Sequence, residues 1–193
     1  MLKKSYVEKL KKDLHEYALI RRDVIKTSDD ALHHAKRAIF DLHRGDLKES
    51  DQKLRLIEKM IMDLNKKYKK NPEIKQEGAY MAALEEYVEA SLMYQFVVKG
   101  DIGEVKGLDV SGESYLAGLC DVPGELFRFA LRAATSHDIA MVKKCAATAD
   151  EIIGELMEFN LTKYLRNKFD QAKQAAHKLE MVVYEVTLRE KNK

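Results

Sequence analysis

The chain has 193 residues, 46% of them apolar and 34% charged, with two prolines, nine glycines and no tryptophan. That composition fits one helix-rich domain over 1–193 with a substantial core, and it excludes a disordered linker protein, a turn-rich β sandwich and a small disulfide scaffold. The net charge of +2 is uninformative about partners, but residues 1–77, 78–125 and 126–193 carry basic and acidic side chains as 20 to 14, 2 to 9 and 12 to 9, an acidic middle between basic flanks.

Val7, Leu10, Leu14, Tyr17, Ile25, Leu32, Ala35, Ile39 and Leu42 recur at three- or four-residue steps through much of the run, predicting one amphipathic helix from Tyr6 to Leu42 that ends at Gly45. Asp46 is a candidate cap for a second helix, whose Leu47, Leu54, Ile57, Ile61 and Leu64 lead to a lysine cluster at residues 66–70. Asn71-Pro72 breaks the chain, and a third helix is expected from about Ile74 to Val98. Gly100, Gly103 and Gly107 then mark a loop expected to be mobile. A fourth helix starts near Ser111–Ser114 and runs toward Ser136, a fifth covers about Ile139 to Phe159, and the last opens at Asn160 or Thr162. The pattern predicts an all-α antiparallel bundle of six to seven helices, with no repeat and no strand pairing.

The two cysteines, Cys120 and Cys145, form no zinc-type cluster, and no apolar run approaches a membrane span. A reducing, cytoplasmic location and no membrane partner are therefore expected.

The third and fourth helices carry charges where apolar helices should have none. From Ala79 to Val98 the strongly polar side chains are Glu85, Glu86, Glu89, Ser91 and Gln95, with no Lys or Arg to pair them. A helix apolar nearly all round is expected to be buried, and a buried carboxylate needs a cation or strong donors. Glu86 and Glu89, three apart, point the same way. On the fourth helix Asp121, Glu125, Arg128 and Arg132 fall at i, i+4, i+7 and i+11, one narrow polar stripe. Two acids from each of two packed helices suit a hard cation, Mg²⁺ with Mn²⁺ as substitute, and one or two such ions suit phosphodiester hydrolysis, with Arg128 or Arg132 holding a phosphate oxygen. The competing reading makes Glu125–Arg128 and Asp121 structural ion pairs, with the glutamates facing solvent or a subunit interface. Pro123 leaves the helix start open: either the helix is continuous and kinked, or Asp121 caps a later start.

Glu85-Glu86-Tyr87-Val88-Glu89-Ala90, the run Tyr115 to Arg128, the stretch from Leu165 to Arg189 and Arg22 followed by Ile25 together resemble the translin superfamily on its Trax side, in a form of prokaryotic or archaeal type. The resemblance implies a translin-like helical fold and, for the Trax type, a Mg²⁺-dependent endoribonuclease acting on single-stranded RNA. The family's catalytic acids then fall on Glu86, Glu89, Asp121 and Glu125, all retained here. It further implies a closed octameric shell with inward-facing sites, formed by this chain alone or with a translin-type subunit. The non-catalytic alternative is a translin-like subunit binding RNA or single-stranded DNA. The chain departs from the pattern at Pro123, where a small polar residue is expected, and in a shorter interhelical loop than a eukaryotic Trax.

Candidate nucleic-acid contacts are Arg22, Lys26, Lys36 and Arg37 on the first helix, beside His33 and His34, together with Arg128 and Arg132. Tyr164-Leu165-Arg166 is a weaker candidate for a base clamp. A di-iron bundle would need Glu-x-x-His pairs, and no histidine here has a glutamate three positions before it.

Overall fold

The computed structural model describes residues 2–191 and contains six α-helices, one short 3-10 helix and, among the described residues, no strand. Helix α1 (Lys4–Arg44) is about 60 Å long at 1.5 Å per residue. It ends where Gly45 takes φ +83°, a left-handed conformation that lets its N–H return to the carbonyls of the last turn. Helix α2 (Leu47–Lys67) follows. Asp46 precedes it without capping it, because the Asp46 carboxylate turns to Arg44 at 3.5 Å instead.

The third expected helix is divided. Pro72–Gln76 forms the 3-10 turn, and α3 (Gly78–Lys99) begins after it, so Ile74 belongs to the turn. The fourth expected helix is continuous. Helix α4 (Gly112–Thr135) is capped by Ser111, whose hydroxyl accepts from the Ser114 N–H at 3.1 Å, and it continues through Pro123. Asp121 is therefore a mid-helix side chain and not a cap. Helix α5 (Ile139–Met157) is capped by Asp138, and α6 (Lys163–Lys191) starts just after Thr162.

The loop expected to be mobile is pinned. Gln95 donates to the Glu104 carbonyl and accepts from the Gly103 N–H, Tyr115 donates to the Gly103 carbonyl, and Tyr87 donates to the Lys106 carbonyl. These bonds satisfy backbone groups that the loop cannot pair within itself.

Helix α3 explains its own composition. One side packs with α1 and α2 around Val24, Ala31, Ala35, Ile57 and Tyr80; the other packs with α4, α5 and α6 around Leu92, Phe96, Leu126 and Leu179. A helix shared by two cores has no solvent face for charges, which is why its acids stand out. Alanines at 31, 35, 38, 83 and 90, fully buried, let α1 and α3 approach closely. At the α3–α4 crossing Gly118 does the same: a Cβ there would lie 2.7 Å from both the Glu85 carbonyl oxygen and the Val88 side chain. Helices α1 and α4 both lie on α3, and the groove between them is closed on its far side by α6. No helix of the described residues is long and apolar enough to cross a membrane.

Candidate carboxylate site

Successive residues of an α-helix diverge by 100°, so Glu85 and Glu86 leave α3 in different directions, and Glu89, one turn on, emerges between them. Glu85 turns to α6, where Tyr164 donates to its Oε2 at 2.7 Å and the Lys168 ammonium stands 3.3 Å away. Glu86 turns to α1, 3.3 Å from the Lys36 ammonium. Glu89 points into the space between, 7% exposed, with no salt bridge or side-chain hydrogen bond among the described residues.

From α4, Asp121 and Glu125 enter the same space. Lys168 donates to Asp121, bridging it to Glu85. Glu125 is held from two sides, by His43 at 2.6 Å and by Arg128 at 2.8 and 3.0 Å. The result is a cavity of about 430 Å³ lined by all four predicted acids with Lys36, Cys120, Arg128 and Gln171. Three basic side chains tie the helices together here: Lys36 joins α1 to α3, His43 joins α1 to α4, and Lys168 joins α6 to α3 and α4, while Arg128 pairs with Glu125 within α4.

The electrostatics separate the four. Burial, followed by the negative charges of Asp121, Glu86 and Glu125, pushes the Glu89 carboxyl up to about 9, so without a cation it is protonated at neutral pH. Burial also raises Glu86, and Lys36 offsets this only in part. Burial acts on Glu125 too, but the hydrogen bonds from His43 and Arg128 outweigh it and hold that carboxyl below the usual range. Burial disfavours the charged form of Lys168, yet the hydrogen bond and charge of Asp121, with the charge of Glu85, leave the ammonium firmly protonated. Cys120 lines the cavity, but burial lifts its thiol to about 11, which removes it as a nucleophile at neutral pH.

The predicted acids are thus brought together in one cavity, although three of them already have a basic partner, and among the described residues no three His, Cys, Asp or Glu side chains converge to grip a metal. Glu86, Asp121 and Glu125 each turn to a basic group, and Glu89 does not. The donor set nevertheless suits a hard divalent ion: all oxygen, four carboxyls on two helices, with Glu89 buried and unpartnered among them. Of the predicted nucleic-acid contacts, Lys36 and Arg128 line the cavity, Arg132 lies one turn beyond, and Arg22, Lys26 and Arg37 are exposed on α1 outside it.

Sequence reasoning missed His43, Lys168 and Glu85 as members of this network. His43 had a readable signal, a histidine four residues after Ile39 on the apolar stripe of α1. Its Nε2 meets the Glu125 carboxylate, and its Nδ1 is buried without a partner. Lys168 had none, because its charge on an otherwise polar helix looks solvated.

The profile of the translin family matches residues 19–190. The chain belongs to the translin family. An uncharacterised protein of Methanocaldococcus jannaschii is 30% identical over 143 residues, which cover 73% of this chain and 63% of that relative, so the match leaves more than a third of the relative outside it. The fold of this translin-family chain is shared with solved structures: AfC3PO at TM-score 0.85 and 25% identity, covering 95% of this chain and 98% of the other, and AfC3PO in complex with duplex RNA at 0.87 and 24%, covering 97% and 100%. Apo-NeC3PO gives 0.83 and 22%, covering 96% and 98%.

Proposed function

We propose that this translin-family protein is a Trax-like, Mg²⁺-dependent endoribonuclease acting on single-stranded RNA as one subunit of a closed octameric shell with its sites facing inward. The observation that carries the reading is Glu89, a buried carboxyl without a partner, surrounded by three further acids. Ionising an acid so placed is costly unless a cation comes to it.

Glu86, Glu89, Asp121 and Glu125 would hold the ion or ions, with Mn²⁺ as a substitute. When bound, a divalent cation supplies charge neutralisation of the phosphate and makes water nucleophilic near neutral pH. The chain's own residues do the rest. His43 and Arg128 together fix the Glu125 carboxylate. Arg128, more than half exposed beside the cavity, is placed to donate to a non-bridging phosphate oxygen once that bond is shared. Lys168 balances Asp121 and Glu85, so the site does not accumulate unopposed negative charge before a cation arrives. No side-chain nucleophile is required.

One observation favours a second reading, a non-catalytic subunit that binds RNA or single-stranded DNA: Lys36, Lys168 and Arg128 already neutralise three of the four acids. The two are separated by incubating labelled single-stranded and duplex RNA with Mg²⁺ or with a chelator, alongside Asp121→Asn. Cleavage that needs Mg²⁺ and disappears in Asp121→Asn, with RNA binding kept, supports the nuclease. Binding without Mg²⁺-dependent products, or equal cleavage by the variant, rejects it.

A further inference from the structure

A second chamber adjoins the carboxylate cavity and has the opposite polarity. Lys36, Phe40 and Arg44 are spaced four apart on one face of α1, and Arg128 and Arg132 four apart on α4. Beyond Lys36, the chamber between these faces is a hollow of about 710 Å³ lined by Phe40, His43, Arg44, Arg128, Leu131 and Arg132, with no carboxylate in its wall. Arg128 lines both chamber and cavity, and His43 in the chamber wall is bonded to Glu125 in the cavity wall, so the two are adjacent. At 1.5 Å per residue, Arg132 stands about 10 Å along α4 from Glu125. That is about the spacing to a neighbouring nucleotide along a strand.

Phe40 gives the chamber its character. The ring is 54% exposed, so it contributes little to the core, and the Arg44 guanidinium stands 5.7 Å from its centroid. Arg132 makes no salt bridge among the described residues, and Arg44 has only a loose 3.5 Å contact with exposed Asp46. An exposed flat ring among three guanidinium groups, two of them without a close carboxylate, matches a strand of alternating bases and phosphates: the ring stacks on a base, and the cations take the phosphates on either side. A base held in a duplex cannot offer its face to the ring.

We propose that Phe40, Arg44 and Arg132 form a subsite for the nucleotide next to the scissile phosphate, with Phe40 stacking on its unpaired base. The word scissile rests on the nuclease reading; the stacking does not, and the experiment keeps them apart. Binding of a short labelled single-stranded RNA is measured in chelator, where no cleavage intervenes, for the intact strand and for a series with one base at a time replaced by an abasic site. Wild type is expected to lose about tenfold in affinity at one abasic position, within the range for loss of one stacked base. Phe40→Ala is expected to bind the intact strand about tenfold more weakly and to be indifferent to that abasic position, whereas Phe40→Tyr keeps both behaviours. Arg132→Ala lowers the slope of log affinity against log salt by about 0.7, one phosphate contact on a single strand. Unchanged affinity in Phe40→Ala overturns the proposal, as does a lower light-scattering mass in that variant with RNA affinity intact, which makes Phe40 a contact between copies. Cleavage with Mg²⁺ by a Phe40→Ala protein of unchanged affinity rejects the subsite and leaves the nuclease. Absence of cleavage by wild type with the abasic pattern present does the reverse.

Discussion

Glu89 is the residue on which the chemistry turns, and its environment dictates a pH dependence. Its carboxyl titrates near 9 in the folded chain against an ordinary 4.5, so between these values the native state holds a proton that the unfolded state has lost. Stability of the cation-free protein therefore falls as pH rises through that window, by up to about 1.4 kcal/mol per pH unit. Urea unfolding in chelator at several pH values is expected to show this decline in wild type and a flatter profile in Glu89→Gln. Lys168 presents the converse case. Replacing it by Met leaves Glu85 and Asp121 without their shared cation, at a cost on the order of 3 kcal/mol in chelator. Thermal melts with and without Mn²⁺ check this: the variant should recover more stability from the ion than wild type does, since the ion then replaces a missing charge. The acids were legible in the sequence because charge on an apolar helix is anomalous within its own segment. Their partners were not, since His43, Lys168 and Tyr164 lie 82, 47 and 79 residues from the carboxylates they meet and nothing local announces those pairings.

At the level of elements, the site depends on how closely α3 and α4 approach, and Gly118 sets that distance. An exposed helical Gly→Ala change ordinarily stabilises by about 1 kcal/mol. Here the added methyl meets the backbone carbonyl of Glu85 at 2.7 Å, a contact that no rotamer change relieves. Gly118→Ala should therefore destabilise by about 1–3 kcal/mol, measured by chemical denaturation, and should weaken divalent-ion binding because the two pairs of acids separate. Equal or greater stability in the variant would show that the crossing has room. Helix number and order were legible from the three- and four-residue apolar spacing. The 3-10 turn at Pro72–Gln76 was not, because one turn is too short to display a period. Pro123 was ambiguous for a related reason. It is compatible with a first turn or with a buried kink, and nothing in the local sequence says that α4 is continuous and Pro123 buried within it. The glycine loop misled because its anchors Tyr87, Gln95 and Tyr115 lie outside it.

For the molecule as a whole, the first turns of α1, before Tyr17 and Arg21 meet Glu77, reach beyond the bundle. Tyr6, Leu10 and Leu14 continue the apolar stripe that Val24, Ala31 and Ala35 bury further along, yet they are exposed. Under the proposed assembly this stripe is covered by other subunits, so wild type is expected to scatter light as several subunits. Leu10→Ser with Leu14→Ser should lower that mass while leaving the circular dichroism unchanged; a wild-type mass of one subunit removes the shell. The most direct test of the account is a titration of the wild-type protein with Mn²⁺, followed by electron paramagnetic resonance of the free ion and by calorimetry in buffers of different ionisation enthalpy. Saturable binding that releases protons at pH 7, and that is lost in Glu89→Gln and in Asp121→Asn, is the predicted result. Binding that is absent in wild type, or unchanged in both variants, contradicts it.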